Sequence, residues 1–340
     1  MDAIRIGLDL AKNVFSLHGV DANGKVVLRR TVSRAKLVEV LANTPPCLIG
    51  MEACSGAHHW ARVLRQFGHD VRIMAAQFVA PYRKDGKNDG NDAAAICEAV
   101  SRPGMRFVPV KSVEQQAVLV LHRVRKGLCD ERTALINQLR GLLTEFGIVL
   151  SQGRYHFRRE LPAALDDPDN GVPELARGAF REIAVRLAAL DEQILAYDRQ
   201  INGLARQSAA AQQIMAVSGV GALTATATLA TIGDARHFKS GRQFAAWLGV
   251  TPRQHSTGGK ARLGRITKRG DVYLRTLFIH GARAAIATLG DKQDRLSCWV
   301  RDLIARRGYA KAIVALAARN ARIVWALLAK GEPYRLADAT

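Results

Sequence analysis

Negative charge is scarce in this chain. Its 340 residues hold 30 Asp and Glu against 50 Lys and Arg, so the formal net charge is +20. An enzyme of neutral small molecules does not need so large an excess, which is the usual electrostatic footprint of binding to nucleic acid. A basic but inert surface, or attachment to a membrane surface, is the alternative interpretation.

Cysteine is also sparse, and no Cys-x-x-Cys pair occurs. The chain has 5 cysteines, an odd and scattered set, which predicts free thiols in a reducing cytoplasm. The least charged stretch, residues 208–233, is rich in Ala, Thr and Gly and lacks the Leu, Ile and Phe density of a membrane span. We therefore expect no membrane partner. Because Met1 leads almost directly into a strand, we also expect no signal peptide.

Four acidic residues stand where charge is unexpected or clustered. Asp9 and Glu52 each end an apolar run that predicts a buried strand. Asp89 and Asp92 lie where a helix is predicted to begin, three residues apart and so on one helix face. Four converging carboxylates would repel one another unless cations lay between them. Hard oxygen ligands suit Mg²⁺, with Mn²⁺ possible, so the pattern predicts a metal site for phosphoryl transfer.

The first 108 residues alternate strands and helices. Strands are predicted at 4–10, 14–20, 25–32 and 71–75, with another ending at Glu52, and helices at 34–42, around 58–67 and from near Asp89. Residues 21–24 read as a hairpin turn, and Ser33 reads as a helix N-cap. This order predicts an α/β ribonuclease-H-like catalytic domain at 1–108, with the acidic residues on the first strand, the fourth strand and a late helix.

Residues 109–207 are predicted to be a helical linker. Apolar residues recur at helical spacing over 113–150 and 173–204, which indicates a long helical hairpin or coiled coil with a polar loop between its helices. It would serve dimerisation or act as a spacer, and by periodicity alone one wall of a globular core fits equally well. The loop resembles a calcium site faintly, but Pro168 and Arg177 stand at ligand positions, so we interpret it as a solvated turn.

Residues 208–340 are predicted to form a basic, mostly α-helical domain. Gly219 and Gly221 lie between two apolar helical stretches in a helix–hairpin–helix pattern, whose backbone N–H groups meet a DNA phosphate. A Gly-rich basic segment follows, suited to a phosphate backbone, although a solvated loop is the alternative. The predicted nucleic-acid contacts are Lys12, Lys87, Gly219, Gly221, Arg253, Thr257, Lys260, Arg262, Arg265, Lys268, Arg269 and Arg275.

The segments around Asp9, Glu52 and residues 87–93 resemble the DEDD motif of the insertion sequence 110 transposase family, which includes the Piv invertases. Segments 252–259, 264–270 and 273–275 resemble that family's C-terminal transposase domain. The resemblance implies that residues 1–108 form a RuvC-like domain whose tetrad of Asp9, Glu52, Asp89 and Asp92 binds divalent metal. It also implies that Ser256 attacks DNA and becomes covalently attached to it. Thr257 follows where Gly is common, so a second hydroxyl competes for this role.

The resemblance further implies a bacterial, nucleoid-associated transposase that cuts and rejoins donor and target DNA. A structured bridge RNA would guide it, and dimers would assemble into a tetramer. Ser256 distinguishes this recombinase from the alternative, a metal-dependent nuclease of the Holliday-junction type whose C-terminal domain only binds DNA. A non-catalytic nucleic-acid-binding protein is a third interpretation, and Tyr273 is a weaker candidate nucleophile.

Overall fold

A computed structural model describes residues 3–84, 86, 88–260, 262–331 and 334 of the chain. The internal contacts of the chain divide it into two compact units, Met1–Val113 and Glu114–Thr340. Each unit packs hydrophobic core of its own. The predicted helical linker and the predicted C-terminal domain both fall almost wholly within the second unit.

The first unit is a mixed β-sheet with helices. Its elements are β1 (Arg5–Leu10), β2 (Val14–Val20), β3 (Val26–Ser33), α1 (Arg34–Ala42), β4 (Leu48–Glu52), α2 (Ala57–Arg65), β5 (Asp70–Met74), α3 (Ala76–Val79), α4 (Asp89–Val100) and β6 (Phe107–Val108). The strand order is β3-β2-β1-β4-β5-β6, in which β1, β4 and β5 run parallel and the other neighbours run antiparallel. This architecture is consistent with the predicted ribonuclease-H-like fold.

Local side chains explain the tight reversal between β2 and β3. Asp21 Oδ1 accepts the backbone N–H groups of Asn23 and Lys25, each at 2.9 Å. Gly24 adopts a left-handed φ of 80°, which glycine tolerates without strain. The predicted hairpin turn is therefore confirmed. Ser33 occupies the N-cap position of α1 as predicted, but its side chain makes no capping hydrogen bond.

The second unit is mostly α-helical, as predicted. Its helices are α5 (Val113–Thr144), α6 (Arg154–Asp166), α7 (Glu174–Gln207), α8 (Ala209–Met215), α9 (Ala222–Ile232), α10 (Gly241–Leu248), α11 (Val272–Ala287), α12 (Arg295–Arg307) and α13 (Tyr309–Lys330). Ion pairs join Arg125 to Asp198 at 2.5 Å and Arg132 to Asp191 at 2.7 Å. Because the partners occur in reverse order along the chain, α5 and α7 run antiparallel.

The polar loop predicted between the two long helices contains α6, which the sequence pattern did not indicate. Pro162 lies inside α6, and an interior proline is normally a helix-breaking signal. Beyond α6, the buried Arg177 donates to the carbonyl oxygens of Leu165 and Val172, at 2.6 and 3.2 Å. It also donates to Asn170 Oδ1 at 2.9 Å. A guanidinium thus closes this turn, in agreement with the interpretation against a calcium site.

A small antiparallel sheet interrupts the helices of the second unit. Strand β7 (Pro252–Gln254) pairs with β8 (Leu263–Ile266), where the sequence pattern indicated only a glycine-rich basic segment. Among the described residues, α13 is the one helix long and apolar enough to cross a membrane by length and composition. Its Leu316 and Val324 pack into the core of this unit, and a core helix of that kind passes the same test.

Candidate active site

Two parallel strands place Asp9 and Glu52 on one face of the first unit's sheet. Asp9 is the penultimate residue of β1, and Glu52 is the last residue of β4. These strands are adjacent, with Gly7 opposite Gly50. Because alternate residues of a strand point to the same face, Asp9 lies on the face of Gly7 and Glu52 on the face of Gly50. Both carboxylates therefore lie on that face, at the carboxyl ends of neighbouring strands.

Helix α4 covers this face at close range. A Cβ added at Gly7 would lie 2.0 Å from the carbonyl oxygen of Ala93 and 2.4 Å from the backbone nitrogen of Cys97. A Cβ added at Gly50 would lie 2.8 Å from the Cβ of Val100. The backbone of α4 therefore rests directly on β1 at Gly7, where any larger residue would separate the helix from the strand.

The first turn of α4 carries the remaining two carboxylates. Asn88 caps the helix, because its Oδ1 accepts the N–H of Asn91 at 2.8 Å. Asp89 and Asp92 follow in the first turn, where the helix dipole favours negative charge. The predicted helix start near Asp89 is confirmed.

The four carboxylates act on one another electrostatically. The pKa of Asp9 is raised from 3.8 to about 6, first by burial and then by the negative charges of Asp92, Asp89 and Glu52. The structure thus brings together the four acidic residues that the sequence singled out. Across the described ranges, however, no three His, Cys, Asp or Glu side chains are grouped closely enough to hold a metal ion. The carboxylates form a charged cluster, and not a completed ligand shell.

An arginine that the sequence pattern did not single out contacts this cluster. Arg83 follows the short 3₁₀ helix Ala80–Tyr82 and forms an ion pair with Asp92 through its Nε. The Arg83 and Asp92 side chains are 29% and 13% exposed. A positive charge therefore already sits at one of the four predicted metal ligands.

Ser256 lies near the tip of the β7–β8 hairpin. Thr257 pairs with Lys260 across a turn in which Gly258 and Gly259 have φ of 57° and 75°. Positive φ at both central residues is typical of the tight turns that suit a twisted hairpin. Ser256 is exposed, and Gln254 Nε2 donates to its Oγ at 2.7 Å. The hydroxyl oxygen is thus held in place and open to solvent.

Most of the predicted nucleic-acid contacts surround Ser256 on this hairpin and at its base. The exposed residues are Arg253, Thr257, Lys260, Arg262, Arg265, Lys268 and Arg269, and Lys12 is exposed between β1 and β2. Arg275 is partly buried and donates to the Leu248 carbonyl oxygen at 3.2 Å, so part of its role is packing. Lys87 lies outside the described residues.

The helix–hairpin–helix segment connects α8 to α9. Gly219 has a φ of 85°, and a Cβ there would lie 2.6 Å from the carbonyl oxygen of Gly281 in α11. Asn320 of α13 donates to the Ser218 carbonyl oxygen at 2.7 Å. Gly221 is exposed at the N-cap of α9, and a Cβ added there would have no neighbouring atom within 4 Å. Gly219 therefore serves close packing, whereas Gly221 is open to solvent, and its contact with a phosphate stays a prediction.

A buried histidine joins three helices of the second unit. His122 of α5 is 1% exposed. Its Nε2 lies 3.0 Å from Thr226 Oγ1 on α9, and its Nδ1 lies 3.0 Å from Tyr273 Oη on α11. Thr226 donates its own hydroxyl proton to the carbonyl oxygen of Ala222 at 2.7 Å. His122 Nε2 must therefore carry the imidazole proton, and Nδ1 accepts from Tyr273.

This network has consequences for Tyr273 as a candidate nucleophile. Burial, followed by the positive charge of Arg125, lowers the pKa of His122 to about 4. Burial raises the pKa of Tyr273 to about 12. Its phenol is a hydrogen-bond donor to a neutral imidazole and resists ionisation, so the geometry counts against the tyrosine alternative.

Comparison with known proteins agrees with these sites. Residues 6–148 match a transposase family model named for the DEDD motif and IS110, and residues 211–296 match the model described as "Transposase IS116/IS110/IS902 family". A probable family 20 transposase of Pseudomonas aeruginosa is 51% identical over 336 residues, which cover 98% of this chain and 99% of that protein.

Two further relatives are similar over nearly their full length. The transposase for insertion sequence element IS1111A of Coxiella burnetii is 44% identical over 330 residues, covering 97% of this chain and 91% of the relative. The transposase for insertion sequence element IS1328 of Yersinia enterocolitica is 39% identical over 329 residues, covering 97% and 98%. The similarity spans both units, and it therefore covers both the carboxylate cluster and the hairpin that carries Ser256.

Proposed function

Because this chain belongs to the IS116/IS110/IS902 family of transposases, we propose that it moves an insertion sequence through a covalent phosphoserine intermediate. Family membership makes it a DNA-cutting and DNA-rejoining enzyme with DNA substrates. The proposal adds the residues and the chemistry: a carboxylate tetrad in the first unit and the Ser256 hydroxyl in the second. We further propose that it acts in the bacterial cytoplasm, at the nucleoid.

The single observation that carries the proposal is that the carboxyl ends of the adjacent strands β1 and β4 and the first turn of α4 place Asp9, Glu52, Asp89 and Asp92 in one cluster. Asp9, Glu52, Asp89 and Asp92 would hold a divalent cation once their side chains close to ligand distance, because carboxylate oxygens under mutual repulsion fit Mg²⁺ or Mn²⁺. Such a cation, when bound, would supply Lewis-acid chemistry, which polarises a phosphate and eases the loss of a hydroxyl proton. The DEDD-type domain is consistent with divalent-metal dependence.

Ser256 supplies the nucleophile. A new bond forms between its Oγ and the scissile phosphorus, and one phosphorus–oxygen bond of the DNA backbone breaks. The released DNA oxygen gains a proton in place of the one that Ser256 loses. Attack by a second DNA hydroxyl reverses these steps and joins new strands without an external energy source. Exposed Arg253, Lys260 and Arg262 are available to offset the negative charge that develops.

Partners beyond DNA belong to the same proposal. A structured bridge RNA guides the choice of donor and target, and dimers assemble into a tetramer. The basic surface that supports nucleic-acid binding is concentrated in residues 208–340, which hold 21 Lys and Arg against 7 Asp and Glu. Such a density of positive charge suits contacts with more than one phosphate backbone.

An adduct assay tests the proposed function. The protein is mixed with RNA transcribed from its flanking DNA, labelled donor and target DNA, and Mg²⁺, and protein-linked DNA is sought after SDS treatment. We expect an adduct that Ser256→Ala and Asp9→Ala abolish and Thr257→Ala retains. Cleaved DNA without any adduct, unchanged in Ser256→Ala, would instead indicate a metal-dependent nuclease whose C-terminal region only binds DNA.

A further inference from the structure

Arg83 stands at a carboxylate that the proposed function assigns to a metal ion. The two side chains of its ion pair with Asp92 are 29% and 13% exposed. In the same unit, the side chains of the Arg72–Asp70 pair are 41% and 54% exposed, and those of the Arg102–Glu98 pair 50% and 35%. The Arg83 pair is thus more protected from water and less screened by salt. Arginine does not lose its proton in proteins, so this positive charge is permanent.

The position of Arg83 in the fold allows its side chain to leave. Arg83 has an extended backbone and lies between the 3₁₀ helix Ala80–Tyr82 and α4. Among the residues that the structure describes, its backbone N–H bonds only locally, to the carbonyl oxygen of Ala80 at 3.2 Å. Rotation of the side chain away from Asp92 would therefore break no strand or α-helix hydrogen bond.

We propose that Arg83 is a built-in counter-ion that occupies Asp92 until a divalent metal displaces it. This rests on the proposed function, in which Asp92 is a metal ligand. Without a cation the four carboxylates carry four negative charges, and the guanidinium offsets one of them. A metal ion and a guanidinium compete for the same carboxylate oxygens and repel each other. Arg83 therefore sets the metal concentration at which the tetrad fills.

Metal binding by the whole chain without nucleic acid tests this proposal. Mn²⁺ is titrated into wild type, Arg83→Gln and Arg102→Gln, and free Mn²⁺ is counted by electron paramagnetic resonance. We expect Arg83→Gln to bind Mn²⁺ about five- to tenfold more tightly, because both the competitor and its charge are removed. Arg102→Gln is the matched control, because Arg102 has its own carboxylate partner, Glu98, and lies just beyond the C-terminal end of α4, whereas Asp92 is in its first turn. It should change the affinity less than about twofold.

Three outcomes separate this proposal from the proposed function. Equal or weaker Mn²⁺ binding by Arg83→Gln overturns the counter-ion role and makes Arg83 a residue that positions Asp92. Arg83→Lys keeps the charge and should stay close to wild type, so tightening as large as that of Arg83→Gln also contradicts the proposal. If wild type shows no saturable Mn²⁺ binding that Asp9→Asn abolishes, the proposed tetrad itself fails. Arg83→Met repeats the test should the Gln variant not fold.

Discussion

The surroundings of Asp9 disfavour the negatively charged form of its carboxylate. Burial and three negative neighbours raise its pKa to about 6, so at neutral pH it is ionised at a free-energy cost to the folded state. The pKa of Asp9 is higher in the folded state than in the unfolded state. The cost therefore appears as the pH rises from the unfolded-state pKa to the folded-state pKa. Residues kept in such a state are typical of functional sites.

Replacing Asp9 should therefore stabilise the metal-free protein while it removes activity. Asp9→Asn keeps the shape of the side chain and removes the repulsion, so we expect the free energy of unfolding at neutral pH to rise by about 1–2 kcal/mol. Urea denaturation without metal measures it. Glu39→Gln, on the exposed surface of α1, is the control and should change stability by less than about 0.5 kcal/mol. A loss of stability in Asp9→Asn would contradict this description of the cluster.

The amino-acid sequence indicated the acidic residues of the site but did not indicate Arg83. Asp9 and Glu52 could be found because charge at the end of a buried strand conflicts with the apolar pattern before it. Arg83 could not, because its partner is reached across a loop and no periodicity marks such a contact. The exposed geometry of Ser256 likewise depends on a hairpin that the sequence pattern did not indicate.

At the scale of elements, the site depends on how closely α4 approaches β1. Gly7→Ala would place a Cβ 2.0 Å from the Ala93 carbonyl oxygen, so we expect a loss of about 3 kcal/mol or more, or failure to fold. Thermal and urea unfolding would measure the change. Gly127→Ala in the exposed middle of α5, where nothing lies within 4 Å, should instead gain up to about 1 kcal/mol. Similar behaviour of the two variants would rule out the close approach.

The stability of the protein should decrease at acidic pH, because His122 is buried where α5, α9 and α11 meet. His122 has a folded pKa of about 4, below its ordinary 6.5, so the unfolded chain binds more protons between these values. Stability is complete above about pH 6.5 and falls as the pH drops towards 4, by about 3 kcal/mol. Urea denaturation across this range checks it. His122→Gln should flatten the dependence by a similar amount, and an unchanged profile would exclude His122 as its source.

Predictions of elements succeeded where periodicity was long and failed where other forces decide. Strands β1 to β5, helices α1, α2 and α4, and the two long helices follow their hydrophobic spacing, whereas the short elements α3 and β6 were not predicted. Helix α6 was missed because Pro162 signals a break, although packing of Phe157 and Leu161 holds the helix. The β7–β8 hairpin was missed because its strands are exposed and carry no alternating pattern.

At the scale of the whole molecule, positive charge is unevenly distributed. Residues 114–207 contain 13 Lys and Arg and 13 Asp and Glu, so this part has no formal net charge. Residues 208–340 contain 21 Lys and Arg but only 7 Asp and Glu. The electrostatic attraction to nucleic acid therefore arises mainly in the last part of the chain, where Ser256 lies.

The salt dependence of DNA binding should reflect this distribution. If Lys260 and Arg262 each contact one phosphate, replacing either with Gln should reduce the slope of log affinity against log salt by about 0.9. Fluorescence anisotropy with a labelled duplex across a salt series measures the slope. Arg199→Gln, on the exposed surface of the neutral part, is the matched control. An equal effect in Arg199→Gln would mean that the hairpin is not the main phosphate contact.

The most direct test of the proposed chemistry is to locate the covalent bond. The protein–DNA adduct is formed with Mg²⁺, digested with nuclease and protease, and its peptides are sequenced by mass spectrometry. The phosphoserine mechanism predicts a nucleotide remnant on Ser256, and no adduct with Asp9→Asn. A remnant on Thr257 or Tyr273, or efficient strand transfer without any covalent remnant, would contradict it.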